Sequence, residues 1–224
     1  MNQSKKIAKI AGILFLTVNF TSLLGGGLIE SIIDAPNYLA IISAKATQIT
    51  IGFYLELING IAVVGLAAML FPILKKHNEY LSRAFIVFRI IESIFCIVSS
   101  IIPILLLLLI KEVVKSGGLN DPYIQTLGNL LIAARSFMTS LLIPVFFCLG
   151  ALLFYNISYQ SKLIPRYISV WGIIGVVLIL IVNLAKIDIS IGLFLALPII
   201  LNELFLGIWL IVKGFNTSPT DSRY

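Results

Sequence analysis

Five ionisable side chains stand inside otherwise apolar stretches of the sequence: Glu56, Arg89, Glu92, Arg135 and Glu203. Charges held away from water pair with one another, bind a proton, or hold a cation or polar ligand. Each costs at least about 2.5–3.5 kcal/mol when placed at the centre of a bilayer-spanning helix. Arg89 and Glu92 are three residues apart and can pair along one helix. Measured from the ends of their segments, Glu56 and Arg135 share one level, while Arg89, Glu92 and Glu203 lie further along. This predicts a Glu56–Arg135 pair and an Arg89–Glu92–Glu203 group. Three acids meet two bases, so one carboxylate lacks a full partner and is either protonated or faces water or a bound cation. Pro198 has no N–H for the carbonyl of Phe194, which predicts a kink one turn before Asn202 and Glu203. Transporters use broken helices beside mid-membrane polar groups, but proline also serves plain helix packing in membranes. The candidate ligand-binding polar core is therefore Glu56, Arg89, Glu92, Arg135, Asn202 and Glu203.

Other chemistries find little support. The single histidine, His77, lies in a polar loop, so no metal site can be built on histidine. No catalytic triad, phosphate loop, CxxC or HExxH occurs, and neither a metal nor a cofactor is expected. Cys96 and Cys148 fall inside apolar segments, about 18 Å and about 10 Å from the same face at 1.5 Å per residue. That offset argues against a disulfide and for small packing residues.

The elements that must position these groups follow from composition. Of 224 residues, 59% are hydrophobic and 12% charged, half the usual charged share of about 25%. A soluble fold of this size has no interior for so much apolar surface. Six segments reach the roughly 20 apolar residues that cross a bilayer: Ile7–Leu28, Gln48–Leu74, Ala84–Ile110, Ile124–Tyr155, Tyr167–Ala185 and Ile191–Val212. Backbone groups in lipid must be satisfied within the segment, so these read as helices. The run IIPILLLLLI lacks the alternation of a barrel strand. The expected fold is all-α, a polytopic membrane protein with about six transmembrane helices in one bundle over residues 1–216. A disordered cytoplasmic tail is expected over 217–224.

Lysine and arginine set the orientation. Ten fall in loops on one side and four on the other, which predicts cytoplasmic N- and C-termini. Loop charge is then +8 inside and −1 outside, with −1 left in the spans, the outer acids including Glu30 and Asp34. The net +6 is thus largely an orientation signal, which makes the lipid bilayer the expected partner and excludes nucleic acid; oligomeric state is left open. Lys5, Lys6 and Lys9 before an apolar run resemble a signal peptide, but the run is long and lacks a small-residue cleavage site, so retention is expected. Gly25-Gly26-Gly27 ends the first helix or permits close packing. Asp34-Ala35-Pro36 is expected to cap a short helix whose Tyr38, Leu39, Ile41 and Ile42 lie along the outer interface. Asp121-Pro122 is expected to open the fourth span. Small and polar residues recur at helical spacing in the first three spans: Ala8, Gly12, Phe15, Asn19, Ser22 and Gly26, then Gly52, Glu56, Asn59 and Gly60, then Arg89, Glu92, Ser93, Cys96, Ser99 and Ser100, a pattern that also serves plain helix packing.

The stretches LELINGIAVVGLAAMLFPILKKHNE, FRIIES, TLGNLLIAARS, SKLIPRYISVWGIIG and LALPIILNELFLGIWLIVKGFN carry a resemblance to the bacterial domain-of-unknown-function 4386 family of integral membrane proteins. It covers nearly the whole chain, about Ile7 to Asn216. The resemblance implies a multi-pass protein of the bacterial cytoplasmic membrane and brings no catalytic or binding residue with it.

Three functions compete at this stage. The first is binding, or translocation, of a small ligand or ion through the polar core. The second is a non-catalytic partner or sensor subunit in which buried ion pairs fix helix register. The third is a lipid-modifying enzyme, for which only Glu92 beside Ser93 offers reactive groups; no catalytic residue is assigned.

Overall fold

The computed structural model describes residues 3–116, 122–185 and 189–216. They form α1 (Gln3–Ile33), α2 (Tyr38–Ile41), α3 (Ala46–Lys75), α4 (Glu79–Ser116), α5 (Pro122–Phe137), α6 (Ile143–Ser161), α7 (Arg166–Leu184) and α8 (Ile189–Val212), with no strand among the described residues. A π-helical turn, Met138–Leu142, joins α5 to α6 without a break. The fourth apolar segment is thus one helix of 40 residues, and six helices in all are long and apolar enough to cross a membrane. Pro144, just past the π turn, has no N–H to offer the Ser140 carbonyl, and the wider turn absorbs that mismatch. The hydroxyls of Thr139 and Ser140 donate to the carbonyls of Arg135 (3.2 Å) and Ser136 (2.5 Å).

The six spans form a closed ring in chain order. α1 packs on α3, α3 on α4, α4 on α6, α6 on α7, α7 on α8, and α8 back on α1. Both termini of the described chain lie at one end, called here the terminal end. There the segment after α8 is tied down: Asn216 donates from its backbone to the Leu163 carbonyl and from its side chain to the Lys162 carbonyl, both at 2.9 Å. The opposite, distal end carries α2. Large apolar side chains such as Phe20, Ile61, Leu130 and Phe194 point out of the ring, as a surface facing hydrocarbon requires.

Two local expectations change. The three glycines do not end α1, which continues to Ile33 and takes Glu30 into its last turns. The continuation is favoured because Ile29, Ile32 and Ile33 bury against Ile42, Ile49 and Ile102 at the distal end. The short helix α2 exists, but Asn37 rather than Asp34 precedes it, and no side chain caps it. Its apolar face turns into the bundle: Tyr38 and Ile42 are buried in that same cluster, and the Tyr38 hydroxyl donates to Asn129 Oδ1 at 3.0 Å. The expected Asp121 cap and the disordered tail lie outside the described residues.

Glycine allows the ring to close. Helices attract in lipid by van der Waals contact and weak polar bonds, so backbones must come close. A methyl added at Gly12 would sit 2.5 Å from the Gly207 carbonyl oxygen and 2.8 Å from Ile211, so α1 and α8 cross with almost bare backbones in contact. Gly25 meets α3 in the same way, yet a methyl at Gly27 meets nothing within 4 Å. One of the three adjacent glycines therefore packs tightly while another faces open space. Gly12→Leu should destabilise the protein by about 1–3 kcal/mol through overpacking. Gly27→Leu should leave stability unchanged or raise it by up to about 1 kcal/mol through helix propensity. Unfolding in mixed detergent micelles, followed by circular dichroism, tests both.

Candidate functional site

The buried charges fall into two clusters of unlike character. In the first, Arg135 reaches from α5 to Glu56 of α3 as a two-pronged pair, Nη1 to Oε2 at 2.9 Å and Nη2 to Oε1 at 2.5 Å. Nη1 also donates to the Ser99 carbonyl of α4 at 2.8 Å. That carbonyl is free because its helical donor would be residue 103, and Pro103 has no N–H. Three helices thus converge on one guanidinium, which is only 1% exposed. The pair expected from depth alone is present, with a carbonyl ligand that depth could not indicate.

The second cluster is looser. Arg89 Nη1 lies 2.9 Å from Glu92 Oε2, one turn along α4. The contact has an ion pair's distance but not a hydrogen bond's alignment, for Glu92 Oε2 and Arg89 Nε are both buried without a hydrogen bond in the protein. The guanidinium also stacks over the Phe147 ring, 5.6 Å from its centroid. Glu203 of α8 is 8% exposed and forms no ion pair within 4 Å among the described residues. Asn19 Nδ2 donates to its Oε2 at 3.1 Å, and no other side-chain hydrogen bond reaches that carboxylate among the described residues. The carboxylate without a full partner is therefore Glu203.

A cavity of about 510 Å³ opens beside these groups, in the distal half of the ring. Glu92 and Glu203 lie at its floor, with Cys96 and Ser99 of α4, Asn19 and Ser22 of α1, and Glu56 and Asn59 of α3 around them. Its wall includes Thr139 and Ile143 of the π-turn region, Phe147, Ile179 and Ile199. Near the distal ends of α1 and α7 it meets Gly27, the exposed Glu30, and Asn183. Four carboxylates line it and, among the described residues, no lysine or arginine does. Its size is that of a small-molecule pocket. The carboxylates are spread along it, and no three His, Cys, Asp or Glu residues among those described gather around one point as metal ligands would.

Of the six residues expected in the polar core, Glu56, Glu92 and Glu203 line this cavity, while Arg89 and Arg135 stand behind it as counter-charges. Asn202 is turned away: its Oδ1 accepts from the Tyr155 hydroxyl at 2.6 Å and its Nδ2 donates to the Ile168 carbonyl at 2.9 Å, so it ties α8 to α6 and α7. Pro198 breaks nothing, since α8 runs through it. Ser93, next to Glu92, spends its hydroxyl on the Gly60 carbonyl at 2.7 Å and is no nucleophile paired to that carboxylate. Sequence reasoning missed Glu30, Asn183 and Phe147. Glu30 could have been found from the continuing apolar spacing of Ile29, Ile32 and Ile33. Removing one partner of the tight pair should be costly: Arg135→Gln alone loses about 3–5 kcal/mol, whereas Glu56→Gln with Arg135→Met recovers most of the stability. A double-mutant cycle of detergent unfolding measures this coupling.

Comparison with curated proteins and with solved structures gives no match. A family model does match, over residues 10–214, a span that takes in five of the six long helices, most of the first (Gln3–Ile33) and both charge clusters. The chain is a multi-pass helical membrane protein, and it belongs to the family described as Domain of unknown function (DUF4386).

Proposed function

We propose that this protein binds a small organic cation in the distal cavity, as the first step of moving it across the membrane. The observation that carries the proposal is Glu203, a buried carboxylate that, among the described residues, has one hydrogen bond, no ion pair and a face on the cavity. A carboxylate in a poorly solvated site costs several kcal/mol unless a positive group compensates it. Four acidic side chains in the lining, with none basic among the described residues, favour a cationic guest. Apolar walls at Ile143, Phe147, Ile179 and Ile199 suit an alkyl or aryl body, and the scattered carboxylates suit an ammonium better than a coordinated metal ion. By the lysine and arginine distribution, the termini are cytoplasmic and the cavity opens to the outside of a bacterial cytoplasmic membrane. A purely structural subunit would have every charge paired; the Glu56–Arg135 cluster fits that description and the Glu203 cluster does not.

Tetraethylammonium serves as a probe. Titration calorimetry on the purified protein in detergent should give saturable binding. Glu203→Gln should weaken it at least about tenfold, a loss of about 1.4 kcal/mol. Gly27→Leu, which places a side chain in the open space of the cavity without crowding a neighbour, should weaken binding while the protein stays fully folded. Absence of saturable binding by the unmodified protein to this and to primary alkylammonium probes overturns the reading.

A further inference from the structure

Behind Glu203, on the side facing the terminal end, lies a second and much smaller void of about 10 Å³, the space of roughly one water molecule. Glu203 lines both spaces, and Arg89 lines only the smaller one. The rest of the small void is closed by Phe15, Phe85, Phe154 and Tyr155 together with aliphatic side chains. The aromatic rings pack on one another, Phe15 and Phe85 against Phe154 with centroids 5.9 and 6.3 Å apart, and Phe154 edge-on to Tyr155 at 5.1 Å. Each of these residues lies nearer the terminal end of its helix than the cavity-lining residue on the same helix: Phe15 before Asn19, Phe85 before Glu92, Phe154 after Phe147.

Arg89 is placed between the two spaces and is weakly held there. Arg135 makes three hydrogen bonds, whereas Arg89 has one misaligned ion pair, a ring contact, and an Nε that is 4%-exposed in its residue and meets no acceptor. Arg135 is committed to Glu56, so Arg89 is the one cation available to the Glu92 and Glu203 carboxylates among the described residues. Its stem lies in a groove that only glycine leaves open, since a methyl at Gly150 would stand 2.9 Å from Arg89 Cδ. The same anionic and aromatic groups that hold Arg89, namely Glu92, Phe147 and the field of Glu203, are what a cationic ligand entering from the distal side would use.

We propose that Arg89 is a resident counter-cation that the ligand displaces, and that its displacement unlocks the aromatic layer beneath Glu203 as the inner gate of a transport path. The inference rests on the cation-binding reading above. It makes the structure the outward-open state of an alternating-access cycle, with the ligand site reachable from the distal side and the Phe15–Phe85–Phe154–Tyr155 layer closed. Arg89 is a positioning residue in this scheme: it competes with the ligand in the resting state and returns to the two carboxylates after release. Competition gives the proposal a signature that a structural role lacks. Removing the competitor must tighten binding even as it stops turnover.

The test uses the full chain, with calorimetry in detergent and radiolabelled tetraethylammonium uptake into proteoliposomes. Arg89→Gln should bind tetraethylammonium about tenfold tighter than the unmodified protein and carry it no faster than empty vesicles do. Arg89→Gln with Glu92→Gln removes both members of the ion pair and guards against misfolding from one unpaired buried charge. It should bind at least as tightly as the unmodified protein and should likewise not transport. Cys96, which lines the cavity, reports access in a Cys148→Ser background. A membrane-impermeant trimethylammonium-ethyl thiosulfonate should modify it from the distal side only, and Phe154→Ala should admit the reagent from the terminal side as well. Weaker binding by the double variant, or unchanged or weaker binding by a folded Arg89→Gln, overturns the role of Arg89 while leaving the cation site standing. Binding without uptake by the unmodified protein overturns the transport path. No binding by the unmodified protein overturns the underlying reading and this one with it.

Discussion

The ring of helices depends on how Arg135 is satisfied. In a medium without water, a guanidinium needs acceptors fixed by the protein, and helices offer few because their carbonyls are already bonded. Pro103 removes one donor and so releases the Ser99 carbonyl, while Glu56 supplies both carboxylate oxygens. The result ties α3, α4 and α5 at one level and sets the rotation of each. With Glu56 turned toward Arg135, Asn59 of α3 turns toward α1 and donates to the Val18 carbonyl at 2.8 Å, and Gly60 meets Ser93 of α4. The α1–α3 and α3–α4 seams thus follow from the register that this one arginine imposes.

The same commitment leaves the second cluster short of positive charge. Arg89 alone must serve Glu92 and Glu203, which come from different helices, and it meets only the nearer of them. Burying well-packed apolar residues in their place would cost nothing electrostatically, and replacement of buried ion pairs by such residues is often neutral or stabilising. A sequence that keeps an unpaired carboxylate beside a cavity holds a destabilising feature. The cavity lets that carboxylate reach solvent or a cation, which reduces the penalty without restoring the lost packing. In the proposed reading Glu203 serves binding, while the geometry of Glu56 is that of an architectural pair, although both are carboxylates among apolar spans.

What could be read from the sequence divides along the same physical line. The spans are visible because hydrocarbon demands about 20 apolar residues, and the level of each charge follows from counting 1.5 Å per residue along a helix. Depth therefore gave the Glu56–Arg135 pair. Depth does not give rotation about the helix axis, so Asn202, one residue from Glu203, was grouped with it although it faces Tyr155 and Ile168 instead. Consecutive helical residues point about 100° apart, which separates a cavity carboxylate from a packing amide at the same height. The glycines illustrate the same limit. Gly25 and Gly27 are alike in sequence, and only the position of α3 makes one a contact and the other an opening.

Two of the helix irregularities border the cavity, while Pro72 of α3 and Pro103 of α4 lie outside its lining. The π turn contributes Thr139, the residues just beyond it contribute Ile143 and Pro144, and Pro198 precedes the cavity residues Ile199, Ile200 and Glu203. A regular helix resists bending because each turn is bonded to the next, while a π turn or a proline lowers that resistance at one point. Both defects lie distal to the aromatic layer and within about two turns of the carboxylates. If α6 and α8 swing about these points, the distal cavity narrows as the layer holding Phe154, Tyr155 and Glu203 moves. The Gly12–Gly207 contact between α1 and α8 lies near the terminal end as a close backbone crossing flanked by the Leu16 and Ile211 side chains. Weak bonding at the defects, close backbone at the crossing and one loosely held arginine between two spaces are separate features of the sequence. In the proposed transport reading, these features together let the bundle expose one carboxylate first to one side and then to the other.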